Sequence, residues 1–228
     1  MCLYIICAYS LFLYNKTVET CNILLFIFYI YAKIFIEGRG IFLRVIAGKL
    51  RGRKIKAPDG MHTRPTTDRV KESSFSMIYP YIIDSTVLDL FAGSGSLGIE
   101  ALSRGAHKTY FVDNNKQSLG ILKENLINLG LLDQSIVLLA DAMKALKDIS
   151  LKGEMFDIIF LDPPYMKGFI IPCIETIKEN GLLNIDGIIV IEHNVEDVLP
   201  AEVGDLIKIK DRRYGDTNIS IYSREVLS

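Results

Sequence analysis

The chain has 228 residues, half of them hydrophobic, and its 26 basic and 27 acidic side chains nearly cancel. This length suits one domain, or one domain with an appendage. The apolar content is too high and the net charge too low for a disordered protein. With 17 glycines and no heptad run, the chain is neither collagen-like nor a coiled coil. The cysteines lack metal-ligand spacing, and only Cys173 lies beyond residue 21, which is typical of a reducing cytoplasm.

Residues 1–42 differ from the rest of the chain, because they contain 10 of the 22 aromatic residues and only five charged ones. A membrane-spanning helix needs about 20 consecutive apolar residues. The apolar runs at 2–14 and 23–32 are shorter than that. The lack of an early Lys or Arg argues against a signal peptide. We interpret this segment as a spurious or marginal extension. A membrane anchor within residues 1–36, or one or two additional packed helices, are the alternatives.

Charge is unevenly distributed in the remaining chain. Residues 44–71 carry a net charge of +7, whereas residues 72–228 carry −9. A basic arm on an acidic body is expected of a protein that binds a polyanion, although a solvated surface is the alternative. We expect this arm and a first helix to occupy residues 43–82. Its candidate contact residues are Arg44, Lys49, Arg51, Arg53, Lys54, Arg64 and Arg69.

Strand-like and helix-like segments alternate within residues 83–228, which we expect to form the main domain. Short apolar runs predict strands at 86–91, 108–113, 135–140, 156–161 and 187–192. Helix-length segments lie between them at 96–104, 116–129, 142–149 and 169–179. This alternation predicts βαβ units and a mostly parallel sheet. Residues 206–210 and 218–222 flank a predicted turn at 211–216 and predict an antiparallel hairpin.

A glycine loop follows the first of these strands. Gly93, Gly95 and Gly98 have the G-x-G-x-x-G spacing of nucleoside-binding turns, where glycine allows close approach and a helix N-terminus attracts negative charge. Asp113 ends the next predicted strand, and its carboxylate can accept both hydroxyls of a ribose. A dinucleotide and S-adenosylmethionine both fit this pattern, and a tight turn without a ligand is the structural alternative.

A second motif, Asp162-Pro163-Pro164-Tyr165, directly follows the predicted strand at 156–161. At the carboxyl end of a strand, it is expected to face the same crevice as the glycine loop. The exocyclic amine of a base is a weak nucleophile, and its methylation requires acceptors for its N–H groups. The Asp162 carboxylate and the Pro163 carbonyl can supply two, Pro164 stiffens the loop, and Tyr165 offers a stacking face. A simple turn is the alternative.

With both motifs, the chain resembles the class I S-adenosylmethionine-dependent methyltransferases, which are Rossmann-like α/β proteins. Residues 44–55, residues 63–72 and the triplet Arg213-Tyr214-Gly215 resemble the RsmD family of bacterial 16S ribosomal RNA guanine-N2 methyltransferases. The resemblance spans residues 43–225, and residues 1–42 have no counterpart in it. It implies a seven-stranded, mostly parallel sheet with a terminal antiparallel hairpin and a small basic N-terminal arm.

The resemblance also implies an activity and its cofactor. S-adenosylmethionine would donate a methyl group to N2 of a guanine in 16S ribosomal RNA, and the expected partner is that RNA within an assembling small ribosomal subunit. We also expect no metal, since the chain offers no ligand cluster, a cytoplasmic location and a monomer, with membrane contact only if residues 1–36 are an anchor. Scattered histidines give no candidate for a general base.

Individual roles follow from the same resemblance. Asp89, Gly93, Ser94 and Gly95 would border the methionine end of the cofactor. Asp113 and Asn114 would meet the ribose, and Asp141 and Ala142 the adenine, although Asp141 can instead cap the following helix. Arg212, Arg213 and Tyr214 would join the basic arm in contacting RNA. The catalytic residues would be Asp162, Pro163, Pro164 and Tyr165.

Four other functions compete with this interpretation. A DNA amino-methyltransferase usually has a target-recognition insert, for which the chain has no room. A protein-glutamine methyltransferase typically has Asn at the position of Asp162. An NAD-dependent oxidoreductase leaves the Asp-Pro-Pro-Tyr motif unexplained, and a non-catalytic RNA-binding module leaves the cofactor motif unexplained.

Overall fold

The computed structural model describes residues 43–57, 68–164 and 168–224. The predictions for residues 1–42, for Arg64 and for Tyr165 therefore lie outside the described residues. Within those three ranges, no helix has both the length and the apolar character that crossing a bilayer requires.

The elements alternate along the chain as predicted. The helices are α1 (Asp68–Met77), α2 (Ser96–Ser103), α3 (Lys116–Leu129), α4 (Ala142–Ser150) and α5 (Ile170–Glu179). The strands are β1 (Leu43–Arg44), β2 (Lys54–Ile55), β3 (Thr86–Asp89), β4 (Lys108–Asp113), β5 (Ser135–Leu139), β6 (Phe156–Leu161), β7 (Leu183–Asn194), β8 (Glu202–Val203), β9 (Leu206–Tyr214) and β10 (Thr217–Arg224). Short 3-10 turns occur at Tyr79–Tyr81 and Leu132–Gln134.

The described chain forms one large sheet, with strand order β5-β4-β3-β6-β7-β10-β9-β8. Strands β3 to β7 pair in parallel, and the last three strands add on in antiparallel fashion. The predicted class, a Rossmann-like α/β fold with a terminal hairpin, is confirmed. The sheet has eight strands instead of seven, because the two residues of β8 pair with the start of β9. A strand this short has no periodicity to detect in a sequence.

The terminal hairpin is longer than predicted. Residues 211–214, predicted as part of the turn, continue β9, and the chain reverses at Gly215 and Asp216. Gly215 has a φ of +65°, as two-residue hairpin turns often require. Arg212 and Arg213 therefore extend from a strand and not from a loop.

Helices cover both faces of the sheet. One face packs against α1, α2 and α3 through buried side chains such as Phe75, Ile99 and Leu122. The other face packs against α4 and α5, where Leu146 and Ile174 are buried. Two covered faces explain why the central strands read as continuous apolar runs.

The described part of the basic arm before α1 consists of β1, β2 and the loop between them. Val45 and Ile55 are fully buried in the same core as the helices of the first face. Gly48 has a φ of +81°, and a Cβ there would lie 1.9 Å from the carbonyl oxygen of Ser103. The loop is bonded to that residue, since the N–H of Lys49 donates to the Ser103 carbonyl and the N–H of Leu50 to its hydroxyl. The arm is thus fastened to the end of α2.

A buried carboxylate completes this attachment. The two oxygens of Glu100 accept hydrogen bonds from the N–H groups of Ile46 and Ala47, at 2.8 and 2.9 Å. Lys71 and Arg104 lie 3.3 and 2.8 Å from the same carboxylate. Burial lowers the pKa of Lys71, and the charge of Glu100 opposes that effect. Glu100 therefore joins the arm, α1 and α2 through one charged group.

Candidate active site

The candidate site lies where the strand order reverses. From β3 the chain proceeds outward to β4 and β5, and β6 then returns to the opposite side of β3. In open α/β sheets, ligands bind in the crevice at the carboxyl ends of strands at such a point. The N–H of Leu90 donates to the carbonyl of Phe160 at 3.2 Å, which places the start of the glycine loop beside the end of β6.

The three glycines of the loop have different physical roles. A Cβ at Gly95 would lie 2.3 Å from Cδ1 of Leu122, and one at Gly98 would lie 2.3 Å from Cε1 of Phe111. These two glycines allow α2 to pack closely on its neighbours. Gly93 has a φ of +54°, and a Cβ there would meet no protein atom within 4 Å. The backbone at Gly93 thus faces open space, where a ligand can approach closely.

Two carboxylates hold the loop in place. Asp89 is buried and accepts the N–H of Gly98 on its Oδ2 at 3.0 Å. Burial, and secondarily the charge of Asp113, raises the pKa of Asp89 to about 7, against the effect of the Gly98 hydrogen bond. Asp113 accepts the N–H of Gly93 at 2.8 Å and the N–H of Asn115 at 2.7 Å. A carboxylate has about four lone-pair positions, so Asp113 retains capacity for ribose hydroxyls.

Asp162 and Pro163 stand across the crevice from the loop. Asp162 is partly buried, Pro163 is buried and Pro164 is exposed. Burial raises the pKa of Asp162 well above its usual range, and the charges of Glu192 and Asp89 raise it further. Carboxylates that disfavour one another's ionisation favour a cationic ligand, whose charge offsets their repulsion.

The other candidate cofactor contacts lie near the same crevice or just after the end of β5. The carbonyl of buried Ser94 accepts a hydrogen bond from the side chain of Asn125, and Asn114 is exposed. Asp141 caps α4, because its Oδ1 accepts the N–H groups of residues 143 and 144. Ala142 is buried at the start of that helix. Both capping hydrogen bonds go to Oδ1 of Asp141. The contact of Asp141 with adenine stays a prediction.

The candidate RNA contacts on the arm lie on its surface. Arg44 pairs with Asp68 at 2.7 Å, Lys49 donates to the side chain of Gln134, and Arg53 donates to the carbonyl of Asn128. Of the described candidate RNA contacts, Tyr214 is partly buried. The others are exposed, and they are Arg44, Lys49, Arg51, Arg53, Lys54, Arg69, Arg212 and Arg213.

Tyr214 links the tip of the terminal hairpin to α1. Its hydroxyl shares a hydrogen bond with the hydroxyl of Ser73, and Lys210 donates to the carbonyl of Met77 at the end of the same helix. Lys71, also on α1, donates to the carbonyl of Arg44 and the hydroxyl of Ser96. Helix α1 therefore contacts the arm, the glycine-loop helix and the terminal hairpin.

Glu192, a residue with no predicted role, lies on the strand next to Asp162 and at the same level of the sheet. Glu192 is only 6% exposed, although it lies within two residues of the carboxyl end of β7. The signal that identified Asp113 and Asp162, an acidic residue ending an apolar strand, is also present in the predicted strand 187–192. Among the described residues, no group of three or more His, Cys, Asp or Glu side chains has the arrangement of a metal site.

Comparison with known proteins adds independent information. A model of the family described as "Conserved hypothetical protein 95" matches residues 43–223. The chain is 46% identical over 182 residues to YlbH of Bacillus subtilis (strain 168), named as a candidate rRNA methyltransferase, with 80% of this chain and 99% of YlbH covered. It is 35% identical over 183 residues to Ribosomal RNA small subunit methyltransferase D of Escherichia coli (strain K12), covering 80% of this chain and 90% of that protein.

A solved structure leads to the same group of proteins. The candidate methyltransferase yhhF from Escherichia coli superposes with a TM-score of 0.73 at 36% sequence identity. The match covers 81% of this chain and 98% of that one. The likeness therefore covers most of both chains.

Proposed function

Since the chain belongs to the RsmD family of methyltransferases, we propose that it methylates the exocyclic N2 of a guanine in 16S ribosomal RNA, with S-adenosylmethionine as the donor. The observation that carries this proposal is the position of Asp162 and Pro163 beside the glycine loop, at the reversal of strand order. The Escherichia coli relative, named as a small-subunit ribosomal RNA methyltransferase, supports the substrate class. We further propose the assembling small subunit as the form of the substrate.

The residues around the loop fit S-adenosylmethionine. Gly93 leaves open space for close approach, and Asp113 can accept the ribose hydroxyls, with Asn114 beside it. Asp141 and Ala142 would border the adenine. The cofactor carries positive charge on its sulfonium and ammonium groups, which suits the carboxylates of Asp89 and Asp162. When bound, the cofactor supplies an activated methyl group.

The chain's own contribution to the reaction is to hold the amine. The lone pair of guanine N2 is delocalised into the ring, so N2 is a weak nucleophile. The Asp162 carboxylate and the Pro163 carbonyl accept its two N–H groups and stabilise the positive charge that develops on nitrogen. With S-adenosylmethionine bound, N2 would displace the methyl group from sulfur, sulfur would keep the electrons of the broken bond, and Asp162 or water would take the proton that leaves N2. The protein therefore accelerates the transfer by positioning the amine and by electrostatic stabilisation.

A transfer experiment tests this proposal. Tritium from methyl-labelled cofactor is followed into naked 16S RNA, small subunits and DNA in parallel, and the modified nucleoside is identified after digestion. We expect N2-methylguanosine in RNA. Label in DNA would favour the amino-methyltransferase of adenine or cytosine instead.

Asp162→Asn provides the matched variant for this assay. Calorimetry should still detect cofactor binding through Asp89, Asp113 and the glycine loop, weakened far less than the loss of about 100- to 1,000-fold in kcat that is typical of removing one electrostatic contact to a transition state. Full activity of Asp162→Asn would contradict the role proposed for this carboxylate.

A further inference from the structure

Glu192 is a buried carboxylate that the reaction as described above does not use. Its strand β7 is the parallel neighbour of β6, and Ile191 pairs with Leu161. Glu192 and Asp162 are therefore the next residues on adjacent strands, at the same level of the sheet edge. Only 6% of the Glu192 surface is exposed.

The alternation of side chains places the two carboxylates on the same face. Phe160 and Val190 belong to the core cluster on the side of α1, α2 and α3. Residues two positions apart on a strand share a face, so Asp162 follows Phe160 and Glu192 follows Val190 on that side. The charge of Glu192 acts on Asp162, which agrees with this placement.

Tyr214 lies on the same side of the sheet. It pairs with Thr217, which in turn pairs with Asn194, two residues beyond Glu192 on β7. Its hydroxyl is bonded to Ser73 on α1. The crevice in front of Asp162 is therefore bordered by Glu192 along the sheet and by Tyr214 beyond it.

The chemistry of the base gives this second carboxylate a selective partner. In guanine, the ring nitrogen N1 next to the N2 amine carries a hydrogen and is a donor. In adenine and cytosine, the ring nitrogens on the same edge as the amine, N1 and N3, are acceptors. A carboxylate beside the amine-binding group can accept from guanine N1–H, whereas it repels the lone pair of the other two bases.

We propose that Glu192 accepts the N1–H of the target guanine and thereby determines the choice of base, while Asp162 and Pro163 hold the N2 amine. This inference rests on the proposed function. It also accounts for a difference from enzymes that share the Asp-Pro-Pro-Tyr motif but methylate adenine or cytosine, because the amine acceptors alone do not distinguish the bases.

The test uses a base that separates the two contacts. 2-Aminopurine retains the N2 amine but has an acceptor at N1. The guanine that the wild-type protein methylates is first mapped, and RNA is then prepared with guanine or 2-aminopurine at that position. Methyl transfer is measured for the wild-type protein, for Glu192→Gln and for Glu175→Gln, which makes the same chemical change at an exposed position on α5.

For the wild-type protein and Glu175→Gln, kcat/KM should be about 10- to 100-fold higher for guanine than for 2-aminopurine. Glu192→Gln should lose most of that ratio, because its amide can donate to the N1 of 2-aminopurine, while cofactor affinity stays unchanged by calorimetry. A merely structural role for Glu192 would lower both rates equally and leave the ratio intact.

The outcomes distinguish this inference from the proposed function. If N2-methylguanosine forms but the wild-type protein accepts both bases equally, the role of Glu192 is wrong and the activity stands. The same holds if Glu192→Gln keeps the wild-type ratio. If no RNA receives N2-methylguanosine, the proposed function fails and the inference fails with it. Because the wild-type ratio is informative alone, an unstable Glu192→Gln would not remove the test.

Discussion

Asp89 and Asp162 are acidic residues in surroundings that oppose their ionisation. The pKa of Asp89 is raised to about 7, and that of Asp162 is raised well above its usual range. Between about pH 4 and pH 7, Asp89 is therefore mostly protonated in the folded protein but ionised in the unfolded chain. Through this linkage, Asp89 makes the free energy of unfolding decrease as the pH rises from about 4 to about 7.

Cofactor binding should favour ionisation of these two carboxylates, which the free protein disfavours. A cationic ligand favours the ionised carboxylates, so S-adenosylmethionine should bind more tightly as the pH rises from 6 to 8, with release of protons near pH 7. Calorimetry in buffers of different ionisation enthalpy measures that release. S-adenosylhomocysteine, which lacks the sulfonium charge, is the matched control and should show a weaker pH dependence. Equal pH profiles for the two ligands would contradict the electrostatic interpretation.

Gly98 offers a second test at the level of one residue. Gly98→Ala would place its Cβ 2.3 Å from the ring of Phe111, and we expect overpacking to lower the free energy of unfolding by about 1–3 kcal/mol. Gly120→Ala is the matched control, since no atom lies within 4 Å of its Cβ and helix propensity should raise stability by about 0.5–1 kcal/mol. Urea unfolding measures both, and equal effects of the two substitutions would argue against tight packing at Gly98.

Helix α2 is the element on which both halves of the site depend. Its first turn follows the glycine loop, and its last turn carries Glu100 and Ser103, which fasten the basic arm. The arm has only four residues in strands, and its internal pairing alone cannot make it stable. Its conformation is therefore determined by α2.

Glu100→Gln should weaken this attachment. Removing one partner of a buried ion pair leaves Lys71 and Arg104 without its charge and typically costs about 3–5 kcal/mol. Hydrogen exchange should increase at residues 45–53 more than in the central strands. The exposed pair between Arg44 and Asp68, at 63% and 46% exposure, is the control, and Asp68→Asn should cost less than about 1 kcal/mol. Uniform loss of protection in Glu100→Gln would contradict a specific role in holding the arm.

The elements that the sequence predicted well are those with local signals. Helix α3 and strands β4 and β6 have the predicted bounds, because Asn115 caps α3, Gly130 ends it, and the strands are buried on both faces. Strand β7 was predicted at 187–192 but covers Leu183–Asn194. Its added residues mix polar and apolar side chains, and pairing makes them part of the strand, since Leu183 pairs with Phe156 of β6 and residues 193 and 194 pair with β10.

The candidate site was predictable in part for the same reason. Motifs that are continuous in sequence, the glycine loop and Asp162–Pro163, lie at one crevice as expected. Glu192 has the same signal, an acidic residue at the end of an apolar strand, but the Glu100 network could not be inferred, because its importance depends on which residues distant in sequence become neighbours. Glu100 contacts residues more than 50 positions away, and nothing in its own helix distinguishes it from a surface glutamate.

At the scale of the whole molecule, the charge is separated between a basic arm and an acidic body. Residues 44–71 carry +7 and residues 72–228 carry −9. Most arm cations are exposed, so they remain accessible to a polyanion. The acidic body would repel nucleic acid elsewhere on the surface, which favours binding in one orientation.

Replacing Arg51, Arg53 and Lys54 with Ala should weaken RNA binding and flatten its salt dependence. Each lost phosphate contact should reduce the slope of log affinity against log salt by about 0.7–0.9. Cofactor affinity, measured by calorimetry, should hardly change, since the crevice is built from other residues. If the variant binds RNA with unchanged affinity and slope, the arm is a solvated surface, and Arg212 and Arg213 on the terminal hairpin become the next candidates.

Helix α2 also has a thermodynamic consequence. Its eight residues span about 12 Å, with the glycine loop at one end and the basic arm at the other. If RNA binding shifts α2 and thereby changes cofactor affinity, cofactor binding must change RNA affinity by the same free energy, because coupling between two ligands is reciprocal. The factor by which cofactor changes RNA affinity must then equal the factor by which RNA changes cofactor affinity. A measured factor above one would make the supply of methyl donor a control on how long the protein stays on its RNA.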